Sequence, residues 1–200
     1  MSEIVTISAE EQRIAEELAD ELPATLPVLP LKDAIVFPAS MTPLAVGQDR
    51  SIALIDDVLA GDRLLALVAV ANDEADVPGF DDVYRVGTVA IVHKMLRVPD
   101  GTLRVLVQGL RRVRLEHETA DDPYLVAEVR ELPDVVAPSK ELGALTRNVQ
   151  SLFSRMAGLV PYLPEELQIA TANVDDPSAL CSLVASTVRL RTEERQIGLR

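Results

Sequence analysis

The residue types able to do chemistry are few and scattered. His93 and His117 are the two histidines and Cys181 is the one cysteine. Together they fall short of the four Cys/His ligands of an ordinary structural zinc site. The chain has no GxxxxGK[ST] phosphate loop, no GxSxG elbow and no HExxH helix. Each histidine falls on a predicted strand, where an ordinary core or surface side chain explains it. Cys181 lies in a predicted helix beside Leu180 and Leu183 and reads as a small buried hydrophobe. The many carboxylates cluster in loops and helix starts, where solvation and the helix dipole account for them. The expectation is a chain that binds rather than catalyses, with no metal and no cofactor of its own.

What remains is apolar surface. Leu31–Leu44 supplies Leu31, Phe37, Pro38, Met41, Pro43 and Leu44, and a later hairpin adds Met95, Leu96 and Val98. Methionine and proline-flanked apolar groups near loops adapt to many partners. These nine residues are the candidate contacts. The competing reading is that most of them fill a core.

Five prolines (Pro23, Pro27, Pro30, Pro38 and Pro43) punctuate the short apolar runs at this end of the chain. Proline cannot donate to a central ladder, so the runs read as edge strands or as strands broken by sharp corners, a pattern that suits the rim of a small, strongly bent β-barrel. Asp49–Ala60 places Ile52, Ile55 and Leu59 on one helical face, and Gly61 ends it. Arg63–Val70 reads as a buried strand, and Asn72–Asp82, with five acids, as a mobile loop. Pro99-Asp100-Gly101 predicts a hairpin turn. On its second strand Leu103, Val105, Val107, Val113 and Leu115 share one face, with Thr102, Arg104, Gln108, Arg112 and Arg114 on the other, and Gly109 marks a bend. Tyr124–Leu132 is the closing strand.

Helical periodicity takes over at Ser139. Leu142, Leu145, Val149, Leu152, Phe153 and Met156 form one apolar stripe. Asp176-Pro177 opens a helix carrying Leu180, Val184 and Val188, and Thr192-Glu193-Glu194 starts another. The expected organisation is an acidic extension over 1–25, a barrel over 26–132, a linker over 133–138 and a helical subdomain over 139–200. The last helix reads as cut short within a longer protein. In the extension, Ser8–Glu11 forms a capping box ahead of Ile14, Leu18 and Leu22.

Composition narrows the partners. A chain of 200 residues with 48% hydrophobic and 26% charged side chains is globular and buries roughly 70% of its unfolded surface. Its acidic start is not a signal peptide, and no apolar run nears the ~20 residues of a membrane span. With one cysteine, the chain fits a reducing cytoplasm. A net charge of −13 argues against broad nucleic-acid binding. Arg85, Lys94, Arg97, Arg104, Arg111, Arg112 and Arg114 nevertheless crowd one stretch against Asp100 alone. A solvated sheet face is the preferred reading of that stretch.

Leu29-Pro30-Leu31-Lys32 followed by Val36-Phe37-Pro38 resembles the opening of the amino-terminal domain of the Lon protease, with lysine where arginine is usual. The resemblance continues through Val46-Gly47, Arg50-Ser51-Ile52, Tyr84–Val89, the hairpin Pro99–Leu115, Asp122–Leu125 and Asp176–Gln196. Free-standing Lon-like proteins carry an FEPRY-like run where this chain has Val46–Arg50, a departure that favours the protease. The resemblance implies an α+β chain, a PUA-like barrel followed by a helical subdomain. It implies recruitment of unfolded, damaged or degron-bearing proteins for a hexameric parent whose ATP, magnesium and Ser-Lys dyad lie outside this sequence. An architectural, subunit-pairing role is the first alternative. An RNA-binding module is the second, with the arginine-rich hairpin as its footprint.

Overall fold

The computed structural model describes residues 22–72, 74–160, 171, 173–188 and 190–200. The capping-box helix expected near Ser8 lies outside them. Along the chain run β1 (Thr25–Leu31), β2 (Met41–Val46), α1 (Asp49–Ala60), β3 (Leu64–Ala69), a 3-10 turn (Phe80–Asp82), β4 (Val86–Arg97), β5 (Leu103–Ala120) and β6 (Val126–Glu131). Then come α2 (Lys140–Leu159), α3 (Pro177–Thr187) and α4 (Thr192–Leu199).

The sheet closes because β5 is long enough to serve two neighbours on one edge. Of its 18 residues, Leu103–Arg114 pair with β4 along one side. On the other side Leu103–Gln108 pairs with β2, and Val113–Ala120 pairs with β6. β6 also meets β1, β1 runs parallel to β3, and β3 meets β4. The ring β1-β3-β4-β5-β6 is therefore closed, and β2 rides outside it on the first half of β5.

The change of neighbour occurs at Gly109. Its amide donates to Ser40 O at 3.0 Å and its carbonyl accepts from Ala39 N at 2.9 Å, so the corner before β2 is stitched to this point. The β4 register skips from Gly109 to Arg111, a bulge that leaves Leu110 unpaired and bends the strand. The expected bend at Gly109 is present.

Four strands of the ring, β1, β3, β4 and β5, feed two apolar layers, and β6 feeds one. Leu29, Leu65, Leu67, Ala90, Val92, Leu103, Val105 and Val107 pack against α1 on one side. Leu26, Val28, Leu64, Ala66, Val68, Val113 and Leu115 form the other layer. β3 is buried at every residue because it lies between the two, and this is why it reads as an unbroken apolar run. α1 is offset from the expected face: Leu54, Ile55 and Val58 are its buried apolar residues, while Ile52 and Leu59 sit half-buried at its margins. The i, i+1, i+4 set lands over the strands, and the residues flanking it fall at the edge of the contact.

The helices begin where the sequence signals place them. Ser139 Oγ accepts from Leu142 N at 3.0 Å, and Asp176 Oδ2 accepts from Ala179 N at 2.8 Å. α4 docks on the barrel. Gln196, 2% exposed, donates from Nε2 to Val86 O at 2.9 Å, and Leu199 packs with Ile35, Phe37, Ala69 and Val86. Arg112 reaches both Leu199 O, at 3.2 Å, and the Asp134 carboxylate.

One expectation is corrected. Cys181 is exposed, because Leu180 takes the buried position of α3 and its neighbour turns to the opening between α3 and the 133–138 segment. The apolar stripe of α2 is only partly covered: Phe153 and Ala157 are buried, while Leu145 is 54% and Leu152 61% exposed.

Candidate functional site

The hairpin tip is built by local hydrogen bonding. Gly101 adopts φ +87°, Val98 N donates to Thr102 O at 2.9 Å, and Asp100 Oδ1 accepts from the Thr102 amide at 2.9 Å and hydroxyl at 2.7 Å. These bonds hold the Asp100 carboxyl below the usual carboxylate range. Beneath the tip, Leu44, Val105 and Met95 stand side by side across three strands, as do Ala45, Arg104 and Leu96. The first row faces the core, with Met95 half-buried against it, and the second faces solvent, with Leu96 67% exposed. Val98 is half-buried at the tip.

The nine candidate contacts therefore separate. Leu31, Phe37 and Leu44 are buried, Phe37 to 1%, and their side chains belong to the core. Leu31, Pro43 and Leu44 also line a cleft of about 380 Å³ between β1 and β2. Pro43 is exposed at its lip. Half-buried Pro38 joins Phe37 at a second cavity, about 370 Å³, bounded by Arg112, Val136, Leu142, Pro177 and Cys181. Half-buried Met41 faces Gln108 on β5.

Four of the seven cations in the arginine-rich stretch pair with acids. Arg85 pairs with Asp81 at 2.8 Å and stacks on Phe80. Arg97 pairs with Asp56 at 2.9 Å, Arg111 with Glu131 at 2.8 Å, and Arg112 with Asp134. Guanidinium groups engaged in this way form a poor phosphate track. His93, in the bulge of β4, lies 2.7 Å from Gln108 Oε1, and His117 is exposed on β5. No group of three or more His, Cys, Asp or Glu that could hold a metal occurs among the described residues. Nor is any described helix long and apolar enough to cross a membrane.

Reasoning from sequence missed the apolar surface of α2. Leu145, Leu152 and Leu159 are exposed, Leu159 to 83%, with Leu142, Val149 and Met156 half-buried between them. Their alternating spacing of three and four residues is that of a helix seam meant for another helix. The spacing was visible in the sequence. Whether the neighbour is the chain's own barrel was not.

The family model for the ATP-dependent protease La (LON) substrate-binding domain matches residues 25–197. The Lon protease of Dictyoglomus thermophilum is 39% identical over 176 residues, covering 88% of this chain and 22% of that protein. Lon protease 1 of Herpetosiphon aurantiacus is 39% identical over 187 residues, 92% of this chain and 23% of that one. The chain thus spans under a quarter of these relatives. Among solved structures, the N-terminal domain of the Mycobacterium avium complex Lon protease aligns with a TM-score of 0.72 at 25% identity, covering 88% of this chain and 90% of the other. A Lon N-terminal domain protein from Xanthomonas campestris, 22% identical with a TM-score of 0.52, shares the fold. The α+β barrel with its trailing helices, and a family match that begins at β1 and runs into α4, show that this chain belongs to the family of Lon substrate-binding domains.

Proposed function

We propose that this chain recruits unfolded, damaged or degron-bearing proteins for an ATP-dependent Lon-type protease and passes them to ATPase and protease modules outside this sequence. The observation that carries the reading is the family match to a substrate-binding domain, over the same residues that build the barrel and its cleft. Exposed Pro43 and Ala45 supply apolar contact on the cleft lining, and exposed Val77 adjoins the lining residue Pro78 in sequence. Burying about 200 Å² of such surface gives roughly 5 kcal/mol before ordering costs, a grip weak enough to release to a motor. Six copies in a hexameric parent would strengthen it through avidity. ATP and magnesium belong to the other modules, and no residue here is assigned to them. A cytoplasmic setting suits such a role.

The test is a titration of a labelled protein, folded and reversibly unfolded, with the 200-residue chain at two salt concentrations. Selective binding of the unfolded form that persists at high salt is the expected result. Equal binding of both forms would remove the recruitment reading for this chain.

A second reading, pairing of neighbouring subunits, is favoured by the exposed seam of α2. Self-association abolished by Leu145→Lys with Leu152→Lys, seen by sedimentation, would establish it. RNA binding is third, because Arg97, Arg111 and Arg112 of the hairpin are paired with acids and the chain as a whole carries a net charge of −13. Steeply salt-dependent RNA binding lost in Arg104→Glu with Arg112→Glu would restore it.

A further inference from the structure

Three prolines meet at the cleft between β1 and β2. Pro30 and Pro43 stand on the facing strands, and buried Pro78 enters from the loop before the 3-10 turn. Backbone alternation fixes which way each strand proline turns. Val28 N donates to Leu125 O on the β6 side, whereas Leu31 O accepts from Val70 N on the β3 side. Pro30, two residues past Val28, therefore faces the edge that β6, paired only with Thr25–Pro27, leaves uncovered. On β2, Ser40 O accepts from Gly109 N of β5, so the odd positions, Pro43 among them, face away from β5 and toward the cleft.

A bare strand edge offers N–H donors to any extended chain. Here proline removes a donor from each edge at the point where the two edges confront one another. An added strand would find a broken ladder on both sides, so an occupant must be held through its side chains. The cleft suits that use: Leu29, Leu31, Leu44 and Val46 are buried along it, exposed Pro43 and Ala45 line it, and exposed Val77 precedes the lining residue Pro78. Acids flank the lining along the chain. Exposed Asp33 lies between the lining residues Lys32 and Ala34, exposed Asp49 follows the lining residue Gln48, and Gln48 Nε2 donates to the carbonyl of exposed Asp76 at 3.0 Å. Lys32 is the one cation among the lining residues, and Arg50, beside Asp49 in sequence, is engaged by Asp121 at 2.7 Å.

We infer that the proline-walled cleft between β1 and β2 is the docking slot for an extended client segment whose apolar side chains are flanked by lysine or arginine. The inference rests on the recruitment reading above and names the segment that reading would select. Apolar side chains enter a lining that is short of donors, and the flanking cations meet the acids beside it. The charges contribute selection and rate of encounter more than affinity. A folded protein offers no such segment, because its apolar side chains are already packed.

The experiment uses a short labelled peptide with a Leu-Val-Leu centre flanked by lysines, and a twin flanked by glutamates, titrated by anisotropy into the 200-residue chain. The reversibly unfolded protein that tests recruitment is run alongside. The lysine peptide is expected to bind about tenfold more tightly than its twin at low salt, with the gap closing at high salt. Ala45→Tyr, which fills the mouth, is expected to weaken both the lysine peptide and the unfolded protein at least about fivefold. Asp49→Asn with Asp76→Lys alters the flanking acids without touching a strand and is expected to remove the preference for lysine. Equal binding of the twins, or an unchanged preference after the acids are altered, overturns the slot. If the unfolded protein binds the unaltered and the Ala45→Tyr chains alike, recruitment stands and the slot falls. If it binds neither, both fall.

Discussion

Gly109 has no room for a side chain. A Cβ there would lie 2.2 Å from Phe37 O and 2.9 Å from its carbonyl carbon, both rigid backbone. Gly109→Ala is expected to cost more than ~2 kcal/mol in urea unfolding, because the corner before β2 must move. Gly143, inside α2, would place its Cβ no closer than 3.7 Å to a flexible arginine, so Gly143→Ala should add about 0.5–1 kcal/mol. Phe37→Ala, at a side chain 1% exposed, is expected to cost about 3–5 kcal/mol while leaving the folded fraction's affinity for an unfolded protein unchanged. A specific loss of affinity without loss of stability would return Phe37 to the contact surface. At the hairpin tip, the Asp100 carboxyl is held low chiefly by the Thr102 hydroxyl and then by its amide. With the folded value below the unfolded one, near ~3.9, its contribution is present above that pH. It is lost as pH falls through the folded value. NMR titration should find Asp100 protonating below the ordinary range, and Thr102→Val should raise it toward that range.

At the scale of elements, β5 explains most of the architecture and α4 most of the attachment. One strand that bends at Gly109 can serve β2 and β6 on the same edge, so a ring closes with few strands. α4 is only eight residues long, below the length at which an isolated helix is stable. It holds because its buried faces meet the barrel: Gln196 on Val86 O, and Leu199 beside Phe37 with Arg112 on its carbonyl. Gln196→Leu would leave the buried Val86 carbonyl without this donor and is expected to cost about 1–3 kcal/mol. Hydrogen exchange should then rise across 192–199 well before it rises in β3. Uniform exchange across both elements would show that α4 and the barrel unfold as one unit.

For the molecule as a whole, a net charge of −13 sits on a surface where Arg50, Arg85, Arg97, Arg111, Arg112, Arg130 and Arg191 each pair with an acid. Such a surface repels nucleic acid and other acidic chains, and it selects by charge at short range only, since salt screens it within ~10 Å at 0.1 M. The cleft between β1 and β2, lined by exposed Pro43 and Ala45, and the seam of α2, with exposed Leu145, Leu152 and Leu159, are built from different elements. The two proposed uses, holding a client and pairing with a neighbour, therefore need not compete. Lysine substitutions at Leu145 and Leu152 are expected to leave the affinity for unfolded protein unchanged. A parallel loss of binding would merge the two surfaces into one.

Local chemistry makes much of this chain legible from its residues alone. Pro43 falls on an edge strand, β2, whereas β1 with Pro27 and Pro30 is paired on both sides. The Pro99-Asp100-Gly101 turn announces a hairpin, alternation marks the buried face of β5, and capping residues at Ser139 and Asp176 open helices where expected. Each of these signals acts over a few residues, through a missing donor, a backbone angle or one side-chain hydrogen bond, and so survives in sequence. The tertiary structure alone decided which apolar residues are surplus to the core. Phe37 and Leu44 look like surface beside their corners and are buried, while Leu145 and Leu152 look like core and are exposed. Cys181 changes sides because Leu180 takes the buried position. The reason is geometric. Hydrophobicity sets that a side chain seeks a neighbour, but the neighbour comes from strands and helices distant in sequence, and only the closed ring and the docking of α4 determine which positions have one.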